Sequence, residues 1–380
     1  MQGLYLHIPF CRSRCAYCDF FSTTRETEMD RYVQALCLEI KARSNEQPFT
    51  RVHTIYIGGG TPSLLSPTLL RQILDCIYAY YDVDADAEVT MEMNPDDSVQ
   101  LGLLPELNRA SLGIQAFDDT LLRLIRRRHD SATAIRAVET LQAGGIRNIS
   151  IDLIYGLPGQ TLAQWNHDLD IAFSLGVQHL SAYALSYEDG TALTRWRDEG
   201  HIHEVPEEVS VEMYQHLCQR AREAGFEHYE ISNFALPGYH SRHNSSYWTG
   251  APYLGFGPGA HSFDGLRTRR ANHPNLTVYL HYWLHETNES KEFHEPYWTH
   301  ESLSDTALFN EAVMCGLRTA RGIDLKALAK RFGQPALDNL LHMASPHLCA
   351  GRLIQKAHHL RLAEHALMVS DDIMSDLISL

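Results

Sequence analysis

The sequence predicts an α/β fold: a partial or full β/α barrel followed by a smaller, mainly helical domain. Three observations predict it. Strand and helix signals alternate through the first 235 residues, the pattern of a parallel sheet with helices on its outer face. Polar or glycine residues follow each strand candidate, where β/α barrels carry their chemistry. The alternation then stops near Asn233, and from about residue 301 helical spacing takes over.

The six strand candidates are LYLHI, VHTIYIGGG, AEVTMEMNP, ASLGIQAF, ISIDLIYGLP and HLSAYALSYE. Between them MDRYVQALCLEIKAR, SPTLLRQILDCIYAYY, SATAIRAVETLQAGG and TLAQWNHDLDIAFSLG place apolar residues three and four apart, as amphipathic helices do. Residues 234–300, rich in aromatic residues, Gly, Pro and His, read as irregular or short-stranded. DTALFNEAVMCGLRTA, DLKALAKRFG and ALDNLLHMA then read as helices, and the C-terminal stretch as a small hairpin and a last helix. Two domains are expected, residues 1–235 and 236–380.

Composition narrows the function. The 380-residue chain carries a formal net charge of −15, with one dense basic run, RLIRRRH at 123–129. Grip on nucleic acid through phosphates needs a cationic surface, so no nucleic-acid partner is expected. No apolar run approaches the ~20 residues of a transmembrane segment, and MQGLYLHIPF lacks the pattern of a signal peptide. A cytoplasmic protein is expected. Disulfides are rare there, so clustered cysteines point to metal binding or catalysis.

Cys11, Cys15 and Cys18 lie within eight residues, directly after the first strand. Thiolates favour soft metals. Three can hold a tetrahedral zinc if a fourth ligand joins them, or three corners of a 4Fe–4S cluster whose fourth iron stays open to a small molecule. Reactive or incidental thiols are the third reading, and iron–sulfur is preferred. Cys37, Cys76, Cys218, Cys315 and Cys349 stand singly in helical contexts and read as buried small hydrophobes.

Other candidates follow the strands. GGGTPS at 58–63 contains Gly59, Gly60 and Thr61; it is either a tight turn or a place where backbone meets a ligand. Glu92 in EMNP, Gln115 in LGIQAF, Arg127 in RRRH and Asp152 in IDLIYGLP could each cap a helix. Four such residues at successive strand ends suit a shared ligand better, an acid meeting ribose hydroxyls and an arginine a carboxylate. HNSSYW at 243–248 sets an imidazole beside two large aromatics. Neutral imidazole is a common haem-iron ligand, and Tyr and Trp offer flat apolar faces. The segment reads as an exposed loop, and a surface turn packed by aromatics is the alternative.

Cys-x3-Cys-x2-Cys after a first strand resembles the signature of radical S-adenosylmethionine enzymes. The resemblance implies a partial (β/α)6 TIM-like barrel in which the amino and carboxylate groups of S-adenosyl-L-methionine chelate the open iron. Tyr17 matches the aromatic residue usual before the last cysteine, and GGGTPS resembles the segment that holds the methionyl amino group. By that analogy Tyr5, Gly59, Gly60, Thr61, Glu92, Gln115, Arg127 and Asp152 line the S-adenosylmethionine site. The order of motifs, continuing through YEISNFA, YLGFGPGAHSF and EAVMCGLRTARGID, resembles the oxygen-independent coproporphyrinogen III oxidase group and covers almost the whole chain. It implies a C-terminal domain with a winged-helix-like end.

Two branches of that group differ. True oxidases resemble Cys-x3-Cys-x2-Cys-x-Cys with an extension before the cluster; here Phe20 holds the last position and ten residues precede Cys11. HemW-type haem chaperones have Phe there and His-Asn-x-x-Tyr-Trp, matched by His243, Asn244, Tyr247 and Trp248. This branch implies haem as ligand, a chaperone without oxidase activity, and haem-accepting apoproteins as partners, expected among respiratory enzymes at the membrane. The rival expectation is a coproporphyrinogen III oxidase; a plain zinc scaffold is the third.

Overall fold

The computed structural model describes residues 2–46, 50–97, 102, 104–285 and 296–378. In chain order the first half runs β1 (Gly3–Ile8), α1 (Met29–Ala42), β2 (Val52–Gly59), α2 (Pro67–Tyr80), β3 (Val83–Met93), β4 (Arg109–Gln115), α3 (Asp119–Leu124), α4 (Ser131–Ala143), β5 (Asn148–Tyr155), α5 (Leu162–Ser174), β6 (His179–Ala184), α6 (Ala192–Asp198) and α7 (Glu207–Glu223). β1 to β6 pair in parallel and in sequence order. All six predicted strands and the four predicted helices between them are therefore present.

The strands read as near-continuous apolar runs because helices cover the outer face of the sheet; Leu4, Leu6, Ile8, Ile55, Ile57, Ile149, Ile151 and Leu153 are all buried. The helix starts are written locally. Ser66 accepts from Leu69 N ahead of Pro67, and Thr161 with Gln164 forms a reciprocal capping box on α5. Trp165, 0% exposed, donates its indole N–H to Met213 O at 2.8 Å and so ties α5 to α7.

The next segment is β7 (Glu227–Glu230), β8 (Asn233–Ala235), α8 (Arg242–Trp248), β9 (Tyr253–Phe256), β10 (His261–Phe263), β11 (Thr268–Asn272), α9 (Leu276–His285) and β12 (Trp298–Ser302). These short strands extend the same sheet. β9 joins β1 in parallel, β8 joins β6 antiparallel, and the order is β12-β11-β10-β9-β1-β2-β3-β4-β5-β6-β8-β7. The division expected at residue 235 thus falls inside one continuous sheet.

Glu39 explains how the added strands are held. This α1 carboxylate is 0% exposed. Its Oε1 accepts from Arg43 Nη1 (3.0 Å), Asn272 Nδ2 (3.1 Å) and Tyr297 OH (2.7 Å), and its Oε2 from Gly257 N (2.8 Å) and Tyr279 OH (2.9 Å). A buried charge needs such partners, and here four of the five come from residues more than 200 positions away.

The chain closes with α10 (Asp305–Leu317), β13 (Ile323–Asp324), α11 (Leu325–Phe332), α12 (Gln334–Cys349), β14 (Leu353–Lys356), β15 (His359–Leu362) and α13 (Ser370–Leu377). Four helices and an antiparallel sheet in the order β13-β15-β14 enclose a second core containing Val313, Leu317, Leu328, Leu340, Leu360 and Ile373. This is the winged-helix-like end that the sequence led us to expect.

Three expectations are corrected. HNSSYW is the helix α8 rather than an exposed loop: Ser241 caps it by accepting from Asn244 N, and His243 and Ser246 are buried. Cys37 and Cys76 do not stand singly, since α1 and α2 pack side by side and Cys76 Sγ donates to Cys37 O at 3.4 Å. Cys349 is exposed instead of buried.

Candidate functional site

The C-terminal ends of β1 to β6 open into one cavity of about 480 Å³. Its walls include Cys11, Cys15, Tyr17, Cys18, Gly59, Gly60, Thr61, Glu92, Gln115, Arg127 and Asp152. In sequence these residues are spread over about 140 positions; the parallel sheet gathers them because every strand ends at the same rim.

The thiols sit in a cradle that fits a soft metal group. Thr61 Oγ1 donates to Cys11 Sγ at 3.5 Å, and Arg127 Nη1 to Cys15 Sγ at 3.3 Å. A Cβ on Gly60 would lie 2.7 Å from Phe10 O and 3.1 Å from Cys11 Sγ, so only glycine leaves the loop room. Burial pushes the Cys18 thiol up to about 11 and raises Cys11 as well. Thiols held neutral in this way release protons on metal binding, the usual coupling at thiolate sites. Arg127 also donates to Asn94 Oδ1 at 2.7 Å and to Gly113 O, while its buried Nε has no partner.

Two acids stand deeper in the mouth. Glu92 accepts from Tyr56 OH at 2.7 Å and from Gly59 N at 2.9 Å. Burial, then repulsion from Asp152, pushes it up to about 7 against two lowering hydrogen bonds. Asp152 accepts from Ser111 Oγ at 3.3 Å and is pushed up to about 6 by burial. A cationic ligand with ribose hydroxyls would supply the charge and donors these acids lack. Gln115 reaches the rim because β4 bulges against β5 between Gly113 and Gln115, where Gln115 takes φ 72°. Such backbone is uncommon for non-glycine residues and clusters at functional sites. Tyr5 lies behind the wall: its hydroxyl bonds His7 Nδ1 at 3.0 Å, and its ring stacks on Tyr56 at 6.1 Å.

The four HNSSYW residues divide. Tyr247 and Trp248 line a second cavity of about 1060 Å³ between α8, β9 and the C-terminal helices, together with His240, Tyr253, Phe263, Arg269, Cys315, Arg321 and Arg331. His243 and Asn244 are not in its wall. His243, 1% exposed, points into the barrel. Its Nδ1 bonds Thr54 Oγ1 at 2.8 Å, its Nε2 bonds Tyr247 OH at 2.9 Å, and its ring stacks on Tyr56 at 5.0 Å. Burial, helped by the Arg109 charge, pulls it down to about 3, so it stays neutral. Glu92, Tyr56, His243 and Tyr247 thus form a continuous chain of contacts from the mouth to the second cavity.

Comparison with known proteins agrees with this layout. Residues 5–172 match the radical SAM superfamily, and residues 303–369 match the HemN C-terminal domain. Heme chaperone HemW of Synechocystis sp. is 39% identical over 84% of this chain and 78% of its own length. Heme chaperone HemW of Bacillus subtilis is 36% identical over 94% of this chain and 93% of its own length. The chain belongs to the HemW family. A mitochondrial relative from Bos taurus, radical S-adenosyl methionine domain-containing protein 1, is 35% identical over 84% of the chain and 73% of its own length. In fold, this HemW-family chain matches the Escherichia coli coproporphyrinogen III oxidase HemN with TM-score 0.84 at 21% identity, covering all of this chain and 90% of that one.

Sequence reasoning missed several residues of the mouth. Asn94, two positions after Glu92 in the quoted EMNP, orients Arg127. Its signal was its place at a strand end, which only Glu92 was given. Tyr56 and Ser111 hold the two acids from mid-strand positions. Arg109, 1% exposed, is a buried cation in the barrel whose Nε has no partner; nothing in its local pattern marked it. Among the described residues no helix is long and apolar enough to cross a membrane.

Proposed function

We propose that this HemW-family chain is a haem chaperone: it carries one 4Fe–4S cluster on Cys11, Cys15 and Cys18, binds S-adenosylmethionine beside it, and passes haem to acceptor proteins, among them respiratory enzymes at the membrane. One observation carries the reading. Tyr247 and Trp248 line a large, mostly apolar cavity that is separate from the cysteine mouth. An oxidase would need its tetrapyrrole against the cluster, where the 480 Å³ mouth must already take the cluster and S-adenosylmethionine.

When bound, a 4Fe–4S cluster held by the three cysteines would supply an iron without a protein ligand, which the amino and carboxylate groups of S-adenosylmethionine could chelate. The protein does the rest. Arg127, with its unpartnered Nε, meets the carboxylate, Gly59 and Gly60 let the backbone approach the methionyl end, and Glu92 and Asp152 take hydroxyls and balance the sulfonium charge. In the second cavity Tyr247 and Trp248 offer faces for a porphyrin, and Arg269, Arg321 and Arg331 suit propionates. His243 orients haem through Tyr247; direct ligation by its Nε2 requires the 2.9 Å contact with the Tyr247 hydroxyl to open.

The test uses one anaerobically purified, cluster-loaded sample in a haem titration and a coproporphyrinogen assay. Stable haem binding without decarboxylation is expected. Trp248→Ala should weaken haem binding, and His243→Ala should weaken it and shift the haem band, both with four irons retained. Decarboxylation with no haem binding would overturn the reading in favour of the oxidase.

A further inference from the structure

Beside the second cavity, the C-terminal domain brings together three groups that no part of the proposed function uses. Asp324 ends β13, His358 sits in the turn between β14 and β15, and His359 begins β15. One ligand atom from each lies within 4.8 Å of the other two, and all three residues are half-buried. We propose that they form a binding site for one divalent transition-metal ion of the zinc or nickel type.

The backbone fixes the arrangement before any ion arrives. Asp324 pairs in register with His359, and Leu325 N donates to His358 O at 2.8 Å. The turn between the strands passes through Ala357 at φ 54°, a left-handed position that presents His358 beside His359, with ring centroids 4.4 Å apart. Asp324 caps α11: its Oδ1 accepts from Lys326 N and Ala327 N, both at 3.0 Å. That aims the carboxylate and leaves Oδ2 for an ion.

The donor set decides the class of ion. Two imidazoles and one carboxylate suit zinc, nickel or copper and are poor for calcium or magnesium, which favour oxygen. Ligand atoms on an ion with bonds of about 2.1 Å lie about 3–4 Å apart, so half-buried rings need only small rotations to close. Arg321 Nε donates to His359 Nε2 at a long 3.4 Å; an ion bound through that nitrogen would displace it. Three protein ligands leave at least one position for water. Asp324 and Arg321 also line the large cavity, so the ion would sit at its lip, pinning the β14–β15 hairpin to α11.

The probe is Ni²⁺ titrated calorimetrically into tag-free, cluster-loaded protein, in which the three cluster cysteines are occupied. One equivalent is expected to bind and to raise the melting temperature, because an ion held only by the folded form stabilises it. His358→Ala, His359→Ala and Asp324→Asn should each weaken Ni²⁺ by at least about tenfold; asparagine keeps the helix cap, so a fold defect is not expected. Copper EPR of the wild type should show two nitrogen ligands, and one in either histidine variant. Unchanged Ni²⁺ affinity in the two histidine variants, or no binding by the wild type, would overturn the site whether or not the protein binds haem.

Discussion

Replacing Glu39 by glutamine changes one oxygen for an amide and leaves the shape intact. The five donors around the carboxylate set the cost. If the amide NH₂ takes the Oε1 position it faces Arg43, Asn272 and Tyr297; if it takes the Oε2 position it faces Gly257 N–H and Tyr279 OH. The second is cheaper, since a tyrosine hydroxyl can turn to accept while a backbone N–H cannot. Gly257 N–H is then buried and unpaired, at about 1–3 kcal/mol. The Arg43 bond loses its charge assistance, at about 1 kcal/mol more, although Glu46 still pairs with Arg43 at 2.9 Å. The sum is about 3 kcal/mol. With the usual unfolding entropy per residue, a chain of this length should lose about 3–5 °C in melting temperature. The assay is a thermal melt followed by circular dichroism, with iron content measured alongside. Iron should stay at four per chain in the folded variant, because none of the five donors around Glu39 lines the cysteine mouth. A loss below about 1 °C would show that the carboxylate is not what joins β9 to β11 and α9 to the barrel.

Serine at Cys11, Cys15 or Cys18 should abolish the cluster's visible absorption after anaerobic reconstitution, while Cys37→Ser and Cys76→Ser keep it; four irons in all three triad variants would refute the ligand set. Glu92 and Asp152 bind protons more tightly folded than unfolded, with values near 7 and 6 against 4.5 and 3.8 for the free groups. Between about pH 4 and 7 the unfolded chain therefore releases protons that the folded chain keeps, and stability falls as pH rises. The buried histidines held neutral, His243 and His129 among them, slope the other way over part of this range, so the readout is the difference from wild type: in melts of cluster-loaded protein without S-adenosylmethionine, Glu92→Gln should gain stability relative to wild type as pH rises from about 4 to 7, and an unchanged difference across that range would refute the assignment.

Local pattern determined much of this protein. Six apolar runs and the helices between them are legible because strand and helix periods are properties of neighbouring residues, and Ser66 and Thr161 mark their helix starts within three positions. The cysteine triad is legible for the same reason: its three thiols are close in sequence. Glu92, Gln115, Arg127 and Asp152 could be gathered from the sequence only through the rule that parallel strands end at a common rim, and the structure brings them there. Tertiary structure alone decided the rest. HNSSYW looks exposed by composition, yet its histidine is buried against Thr54 and Tyr56 nearly 190 positions earlier, while Tyr247 and Trp248 turn to a cavity closed by the C-terminal helices. Glu39 reads as one more polar residue on an amphipathic helix, and becomes a buried anchor only when Gly257, Asn272, Tyr279 and Tyr297 arrive around it. Hydrogen-bond partners so distant leave no periodic trace, because what fixes them is the packing of whole layers and the need of every buried charge for donors.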